Sequence, residues 1–348
     1  MKWSFTIMQI SGIPIRIHLT FFLLLLFVLL SPASTGFGGP EGLLIVLGVF
    51  VGVVIHELGH ALTARRYDIN TRSITLLPIG GVAALDRMPT KPSGEIVVAA
   101  AGPLTSFGLA LLLGGIAAGS YFTLGAESYL THYLSTLAFI NGFLGAFNLV
   151  PALPMDGGRI LRGILASAKG HTWGTEVAGK VGQVVAIGFG VIGLFSGNFF
   201  LMLIAVFVYL GANAERQEAE LERTLKDIPA WRAMLAPVYW TTPEETLGSL
   251  SSSLRHTMQE DVPVIDQGRL VGMVSRVDLI PALKREEFDV RVSDIVRQIP
   301  QPASPAEPLV DVLRRMRNSN LFALPVIDQG RLAGLITREK IGRCPMKC

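Results

Sequence analysis

Long apolar runs with few or no charges constrain this chain more than any other feature of its sequence. They occur at residues 42–64, 96–124 and 129–150, with a shorter run at 19–35 and a longer one at 181–214. A helix needs roughly 20 apolar residues to cross the hydrocarbon core of a bilayer. The mean hydropathy of +0.48 is also high for a soluble protein. The sequence therefore predicts an α-helical membrane protein.

The longest run is predicted to form two helices. Residues 181–214 contain Ser196, Gly197 and Asn198 near the middle, and these residue types favour a turn. A single tilted helix is the alternative, because the run carries no charge. With the turn, the region up to residue 214 contains about six transmembrane helices.

The distribution of basic residues predicts the orientation, because cytoplasmic loops of membrane proteins are enriched in Lys and Arg. If the N-terminus is cytoplasmic, the outside loops at about 36–41, 125–128 and 196–198 contain no Lys or Arg. The inside segments then contain Lys2, Arg16, Arg65, Arg66, Arg72, Arg87, Lys91, Arg159, Arg162 and Lys169. An even number of spans places the C-terminus in the cytoplasm as well. We therefore expect a multi-pass protein of the cell membrane.

The second span contains the motif H-E-x-x-H, from His56 through Glu57 to His60. On a helix, residues four apart project from one face, so the two imidazoles can share a zinc ion. Glu57 lies beside that metal, where a carboxylate can take a proton from water and pass one to a leaving amine. A chance match is the alternative. Ionisable groups inside a membrane helix are costly and generally mark functional sites, which favours the zinc interpretation.

A third ligand is predicted in the segment 153–159, which follows the fourth span at the same predicted membrane face. A catalytic zinc site uses three protein ligands and one open position. Asp156 lies between prolines that prevent a helix and glycines that permit close backbone approach. The alternative is that Asp156 only caps the helix that follows. With H-E-x-x-H at matching depth, zinc ligation is the stronger interpretation.

Four segments together resemble the site-2 proteases, a family of intramembrane zinc metalloproteases. They are residues 56–60 (HELGH), 77–81 (LPIGG), 101–104 (AGPL) and 147–158 (FNLVPALPMDGG). The resemblance covers roughly residues 5–214. It implies a zinc metalloendopeptidase that cuts membrane proteins with a transmembrane helix in or near the lipid bilayer.

The resemblance also implies a catalytic set in this chain. His56, His60 and Asp156 correspond to ligands of one zinc ion per chain, and Glu57 corresponds to the catalytic base. Asn148, eight residues before Asp156, corresponds to a residue that hydrogen-bonds the scissile carbonyl or the substrate backbone and helps stabilise the oxyanion. The alternative for Asn148 is that it only satisfies backbone groups at a helix end.

Two positions depart from the pattern of the family. Ile79 stands where many relatives have a Phe that plugs access to the zinc in some members. The sequence therefore does not establish that Ile79 controls access to the zinc. Ser106 stands where relatives often have Asn, and we expect neither departure to touch the metal site. Asn141 competes for the role of Asn148, but its spacing from Asp156 does not match the family.

Residues 69–82 are predicted to form a short hairpin at the membrane face that bears the zinc. An exposed strand edge there would hold a substrate in extended form by β-addition. Proteolysis needs an extended substrate, because a helix hides its carbonyls in hydrogen bonds. An ordinary cytoplasmic loop is the alternative.

The C-terminal region contains an internal repeat. Residues 263–276 (PVIDQGRLVGMVSR) recur 62 positions later as residues 325–338 (PVIDQGRLAGLITR). Each copy is predicted as strand, turn, strand and helix start, preceded by a helical stretch. This pattern resembles a pair of CBS domains, which are α+β modules that often bind adenine nucleotides. The predicted organisation is a protease domain at 1–214, a linker at 215–228, and CBS domains at 229–285 and 286–348.

In CBS domains a Ser or Thr followed three residues later by Asp contacts phosphate and ribose. The first repeat has Ser275 and Asp278, whereas the second has Thr337 but Lys340 in the Asp position. The resemblance implies an adenine nucleotide as regulator, with the cleft at Asp278 favoured. A pair that only forms a homodimer or docks substrate is the alternative.

These features predict regulated intramembrane proteolysis by six membrane helices joined to a cytoplasmic CBS pair. A catalytically inactive membrane sensor or transport-associated protein that works through its CBS pair is the alternative. The full set of catalytic residue types argues against that alternative. A net charge of only +3 gives no indication of nucleic-acid binding.

Overall fold

The structure is a computed structural model that describes residues 3–32, 38–86, 88–89, 91–255, 257, 259–299, 301–319 and 321–344. Two compact units make up the chain, residues 1–219 and 220–348. The first unit contains the predicted catalytic residues, and the second contains the sequence repeat.

A four-stranded sheet lies in the first unit. Its strands in spatial order are β1 (Ser4–Ile10), β2 (Ile13–His18), β3 (Thr71–Leu77) and β4 (Gly80–Leu85). The pairs β1–β2 and β3–β4 are antiparallel, and β2–β3 is parallel. The predicted hairpin within 69–82 is confirmed as β3 and β4. Strands β1 and β2 were not predicted from the sequence. The inward residues of β2, Ile13 and Ile15, are buried against Ala61.

Seven α-helices begin in the described part of the first unit, and the last of them continues past residue 219, where that unit ends. They are α1 (Leu19–Leu30), α2 (Gly39–Ala64), α3 (Pro92–Leu124), α4 (Tyr129–Asn148), α5 (Asp156–Lys169), α6 (His171–Ser196) and α7 (Phe199–Lys226). The break between α6 and α7 confirms that the run at 181–214 forms two helices. Gly197 ends α6 with a φ of 65°, a conformation that glycine adopts without steric cost. Residues 215–226 of the predicted linker are helical, as part of α7.

Four described helices are long and apolar enough to cross a membrane, namely Gly39–Tyr67, Pro92–Leu124, His171–Ser196 and Phe199–Lys226. Of the two other predicted spans, α1 has only 12 residues, which gives a length of about 18 Å. The end of that span, at 33–35, lies outside the described residues. The other, α4, has 20 residues but includes several polar side chains. The fold is therefore a helical membrane region with four long apolar helices.

The second unit contains the repeat as two copies of one arrangement. The first copy has α8 (Leu247–Leu254), β5 (Asp261–Asp266), β6 (Arg269–Ser275) and α9 (Arg276–Lys284). The second has α10 (Leu309–Asn318), β7 (Ala323–Asp328), β8 (Arg331–Thr337) and α11 (Arg338–Arg343). In both copies a Gln-Gly pair with positive φ turns the hairpin. Each copy has its own buried core, so the predicted α+β pair is confirmed.

Candidate active site

The H-E-x-x-H motif lies in the last third of α2. His56 and His60 occupy one face of the helix and are both buried. Their Nε2 atoms lie 3.1 Å apart. The helical spacing therefore brings the two imidazoles together as the sequence indicated.

Asp156 is the first residue of α5, and the tight turn that precedes it brings its side chain to the histidines. Its Oδ2 atom lies 3.2 Å from Nε2 of His56 and 3.1 Å from Nε2 of His60. The turn requires the two glycines that follow. A Cβ on Gly157 would lie 2.2 Å from the carbonyl oxygen of Leu149, and a Cβ on Gly158 would be similarly obstructed by backbone. The sequence D-G-G thus lets the aspartate approach the two rings.

The three ligand atoms fit the requirements of zinc. In tetrahedral coordination with metal–ligand distances of about 2.0–2.1 Å, two ligand atoms are about 3.3 Å apart. The distances of 3.1 and 3.2 Å between the three side chains are close to that value. Among the described residues, His56, His60 and Asp156 form a buried group suited to holding a metal ion. Three protein ligands also match the catalytic type of zinc site, which keeps one position open.

The other ring nitrogens of the two histidines are held by α3. Nδ1 of His60 donates to the carbonyl oxygen of Val98 at 2.8 Å, which leaves the Nε2 lone pair directed at the metal position. Nδ1 of His56 lies 2.9 Å from Oγ of Ser106, whose side chain is fully buried. The expectation that Ser106 does not touch the metal site is therefore wrong. Its hydroxyl contacts a ligand directly, because Ser106 lies one helical turn beyond the point where α3 crosses α2.

Gly102 makes the crossing of α2 and α3 close enough for these hydrogen bonds. A Cβ at this position would lie 2.2 Å from Nε2 of His60 and 2.7 Å from Nε2 of His56. The other helix also contributes a glycine to this crossing: a Cβ on Gly59 of α2 would lie 2.2 Å from Oγ1 of Thr105 in α3. This role of Gly102 was not predicted from the sequence. The sequence signal for it was the Gly-Pro pair inside a long apolar run. A glycine inside a helix lowers the helix propensity, so its presence indicates close packing against another element.

Glu57 lies between the metal-binding residues and the sheet. It follows His56 directly in α2, and strand β4 passes its side chain closely. A Cβ on Gly81 of β4 would lie 2.9 Å from Cγ of Glu57. The predicted base is therefore next to the edge strand of the sheet.

Asn148 is the last residue of α4, and its amide nitrogen donates to the carbonyl oxygen of Leu144 at 3.0 Å. The same amide has a second N–H hydrogen, so this bond leaves it one further donor. Asn141 lies two helical turns earlier in α4 and is buried, where its amide donates to the carbonyl oxygen of Leu137 at 2.8 Å and its oxygen faces Gly52 of α2. Neither asparagine contacts the three ligand atoms.

The residues predicted for nucleotide binding lie in the second unit. Ser275 caps α9, and Asp278 pairs with Arg297. A cavity of about 130 Å³ is lined by Asp261, Met273, Ser275, Val277, Arg297, Gln298, Ile299, Leu321, Phe322 and Ala323. Burial raises the pKa of Asp261, although a hydrogen bond with Ser275 opposes the shift. Thr337 caps α11 instead and is not among the residues that line this cavity.

Comparison with known proteins identifies the family. The sequence model of peptidase family M50 matches residues 44–129 and 123–192, and that of the CBS domain matches residues 225–285 and 292–343. The zinc metalloprotease MJ0392 of Methanocaldococcus jannaschii is 35% identical over 343 residues, which cover 99% of this chain and 96% of that protein. The chain belongs to peptidase family M50. Its motifs had predicted this family correctly.

Two other proteins similar to this M50 peptidase are also proteases. The putative zinc metalloprotease Rip3 of Mycobacterium tuberculosis is 28% identical over 366 residues, covering 96% of this chain and 91% of that protein. A solved site-2 protease from Methanocaldococcus jannaschii is 39% identical, covers 62% of this chain and 95% of its own, and superposes with a TM-score of 0.48. The family match and the identity to MJ0392 show that the chain is a membrane-embedded zinc metalloprotease of the site-2 type with two CBS domains.

Proposed function

We propose that this M50 peptidase hydrolyses peptide bonds of membrane proteins at a zinc ion held by His56, His60 and Asp156. The observation that supports this most directly is the convergence of the three ligand atoms at 3.1–3.2 Å in a buried position. A bound zinc ion supplies Lewis-acid activation of water and of the scissile carbonyl. The protein supplies the proton transfers and the placement of the substrate.

Glu57 acts as the general base and then as the general acid in this proposal. Its carboxylate takes a proton from the attacking water, and the water oxygen forms the new bond to the scissile carbonyl carbon. The same proton passes to the leaving amine when the carbon–nitrogen bond breaks. The position of Glu57 directly after His56 supports this role, because it places the carboxyl beside the metal ligands.

Asn148 is proposed to hydrogen-bond the scissile carbonyl or the substrate backbone. One hydrogen of its amide is used by Leu144, and the second is free to donate to an oxyanion. Its place at the end of α4, eight residues before Asp156, supports this assignment over Asn141, which is buried against Gly52.

The substrate is proposed to bind in extended form along β4. In the described sheet β4 pairs only with β3, so its other edge is open for a further strand. Gly81 of this strand lies against Glu57, which places the open edge next to the catalytic residues. Ile79 lies in the turn before β4, and 78% of its surface is exposed. Substitution of Ile79 tests whether this side chain contacts the substrate.

We propose six membrane-embedded helices, α1–α4, α6 and α7, with both termini in the cytoplasm and lipid around the first unit. The four long apolar helices and the distribution of basic residues support this arrangement. The CBS domains, at 229–285 and 286–348, would then lie in the cytoplasm, where nucleotides are plentiful.

An adenine nucleotide is proposed as a regulator that binds through Ser275 and Asp278, with Thr337 at the equivalent position of the second domain. The cavity beside Ser275 contains Arg297, a cation suited to phosphate, and Phe322, an aromatic face suited to a base. Asp278 is held by Arg297, so a nucleotide would have to compete for that arginine. A homodimerisation surface is the alternative for this pair.

Cleavage of single-span membrane proteins in co-expression tests the proposed activity. Wild type and Glu57→Gln are compared with Glu41→Gln, a matched control at the exposed start of the same helix. We expect cleavage by wild type and the control, and at least ~100-fold slower cleavage by Glu57→Gln, with zinc bound in all three. Turnover by Glu57→Gln would assign the base to another group. Zinc binding without any cleavage by wild type would favour an inactive sensor.

A further inference from the structure

A buried cluster of charges joins three helices of the first unit. Arg162 of α5 is 5% exposed and Glu95 of α3 is 1% exposed. Nε of Arg162 donates to Oε1 of Glu95 at 2.6 Å, and Nη1 donates to Oε2 of Glu215 in α7 at 2.9 Å. Nε2 of His171 lies 3.6 Å from the second oxygen of Glu95. One arginine therefore holds two carboxylates in fixed directions.

Such a cluster is costly to build. Burying charges removes their hydration, and well-packed apolar residues generally stabilise a fold at least as well as a buried ion pair. In a membrane protein the cost is greater, and ionisable groups are rare there unless they serve the function. Stability alone therefore gives little reason for an arginine and a glutamate at these buried positions.

Two of the three helices that the cluster joins, α3 and α5, support the metal site, whose histidines lie on α2. Three residues after Glu95, the carbonyl of Val98 in α3 accepts the hydrogen bond from His60. Further along α3, Ser106 contacts His56. On the other side, Arg162 lies six residues after Asp156 in α5. The bond from Glu95 to Arg162 thus connects the helix that orients both histidines to the helix that carries the third ligand.

Close packing places the same two helices independently. A Cβ on Gly163, beside Arg162, would lie 2.7 Å from Cγ1 of Ile96 and 3.1 Å from the carbonyl oxygen of Pro92, both in α3. The position of α5 along α3 is therefore restricted by shape as well as by charge. Close packing and the directed Arg–Glu bonds thus restrict the same pair of helices independently.

We propose that Arg162, bonded to Glu95 and Glu215, is a positioning residue that fixes Asp156 relative to His56 and His60. The proposal rests on the proposed ligand set, since it explains how Asp156 reaches its place in that set. Arg162 itself touches neither the ligands nor the substrate. Replacing Arg162 is therefore expected to change the metal affinity. Replacing a residue that contributes only to stability would leave the metal affinity of a folded variant unchanged.

Metal affinity of the purified full-length protein tests this proposal. Zn²⁺ affinity is measured by competition with a chelator, and the Co²⁺ absorption spectrum reports the geometry of the site, both in a Glu57→Gln background without turnover. We expect Arg162→Met to weaken zinc binding roughly 10-fold, the lower end of the loss seen when a direct hydrogen-bond partner of a metal ligand is removed, because Arg162 acts on Asp156 only through α5. Arg162→Lys keeps the charge but loses the fork, and we expect an intermediate loss.

Arg216→Met is the matched control. Arg216 follows Glu215 in α7 and donates to Gln183 of α6 at 2.8 Å, without a bond to α5. We expect this variant to bind zinc as the parent protein does. If Arg162→Met fails to fold, the zinc affinities of Arg162→Lys and Glu215→Gln are compared with that of the control. Weaker binding by these two variants supports the positioning role, and parent-like binding overturns it.

Asp156→Asn in the same series separates the two hypotheses. Parent-like affinity and an unchanged Co²⁺ spectrum in the folded Arg162 variants, with a clear loss in Asp156→Asn, would overturn the positioning role and leave the ligand set intact. Parent-like binding by Asp156→Asn would overturn the ligand set itself. Loss in both, with the Arg216→Met control unchanged, is the expected result.

Discussion

Gly102 offers the sharpest test of how the helices build the metal site. Replacing it by alanine adds a Cβ 2.2 Å from Nε2 of His60 and 2.5 Å from Cε1 of the same ring. Non-bonded heavy atoms of this kind need about 3.5 Å, so the ring must move by roughly 1.3 Å. Ligand positions in a zinc site tolerate only about 0.2 Å. We therefore expect Gly102→Ala to lose zinc affinity by at least ~100-fold, or about 2.8 kcal/mol.

Zinc content and chelator competition measure this effect in the purified protein. Gly108→Ala is the matched control, because it lies in the same helix and a Cβ there meets no heavy atom within 4 Å. Alanine is the better helix former by about 1 kcal/mol, so the control is expected to fold at least as well as wild type. Stoichiometric zinc and normal cleavage in Gly102→Ala would refute the close crossing of α2 and α3 described here.

Substitutions at three further sites, with their controls, test the zinc-ligand partner, the nucleotide cleft and a buried acid of the second unit. Ser106→Ala should lower zinc affinity ~10-fold because His56 loses its partner, whereas Ser106→Asn retains a hydrogen-bonding group and should bind more tightly than the alanine variant. Asp278→Ala should weaken adenine-nucleotide binding to the full-length protein at least ~10-fold in calorimetry, while Lys340→Ala at the equivalent position should not, since that cleft lacks the carboxylate; equal effects would place the ligand elsewhere. Asp261→Asn should raise the thermal stability of the second unit at neutral pH and not below the ordinary pKa of Asp, because burial raises the pKa of Asp261 and its ionised form therefore destabilises the fold as the pH rises.

The sequence predicted the grouping of His56, His60 and Asp156, because the two histidines are close in sequence and the span count brings Asp156 to the same membrane face. His56 and His60 are four residues apart on one helix, and Asp156 lies between residues that only a tight turn accommodates. The repeat in the second unit was equally direct, since two nearly identical segments must form the same structure. The break at Gly197 followed from turn chemistry within an uncharged run.

The features that were not predicted depend on contacts distant in sequence. Strand β2 pairs in parallel with β3, so the N-terminal hairpin joins the sheet through residues more than 50 positions away. Ser106 was judged remote from the metal because neither its spacing nor its residue type indicates that α3 crosses α2 beside His56. The sequence places Arg162 only among the basic residues of the predicted inside segments and assigns no role to Glu95, and the packing of α3 on α5 shows that the two are paired and buried.

X-ray absorption at the zinc edge tests whether His56, His60 and Asp156 bind the zinc, because it reports the ligands of the metal itself. The measurement compares the purified full-length protein with Asp156→Ala. The account predicts about one zinc per chain, with two imidazole nitrogens and carboxylate oxygen among a light-atom shell at about 2.0–2.2 Å, and a sharp loss of zinc or a changed shell in the variant. A shell that contains sulfur, a single imidazole, or an identical spectrum with full zinc content in Asp156→Ala would contradict it.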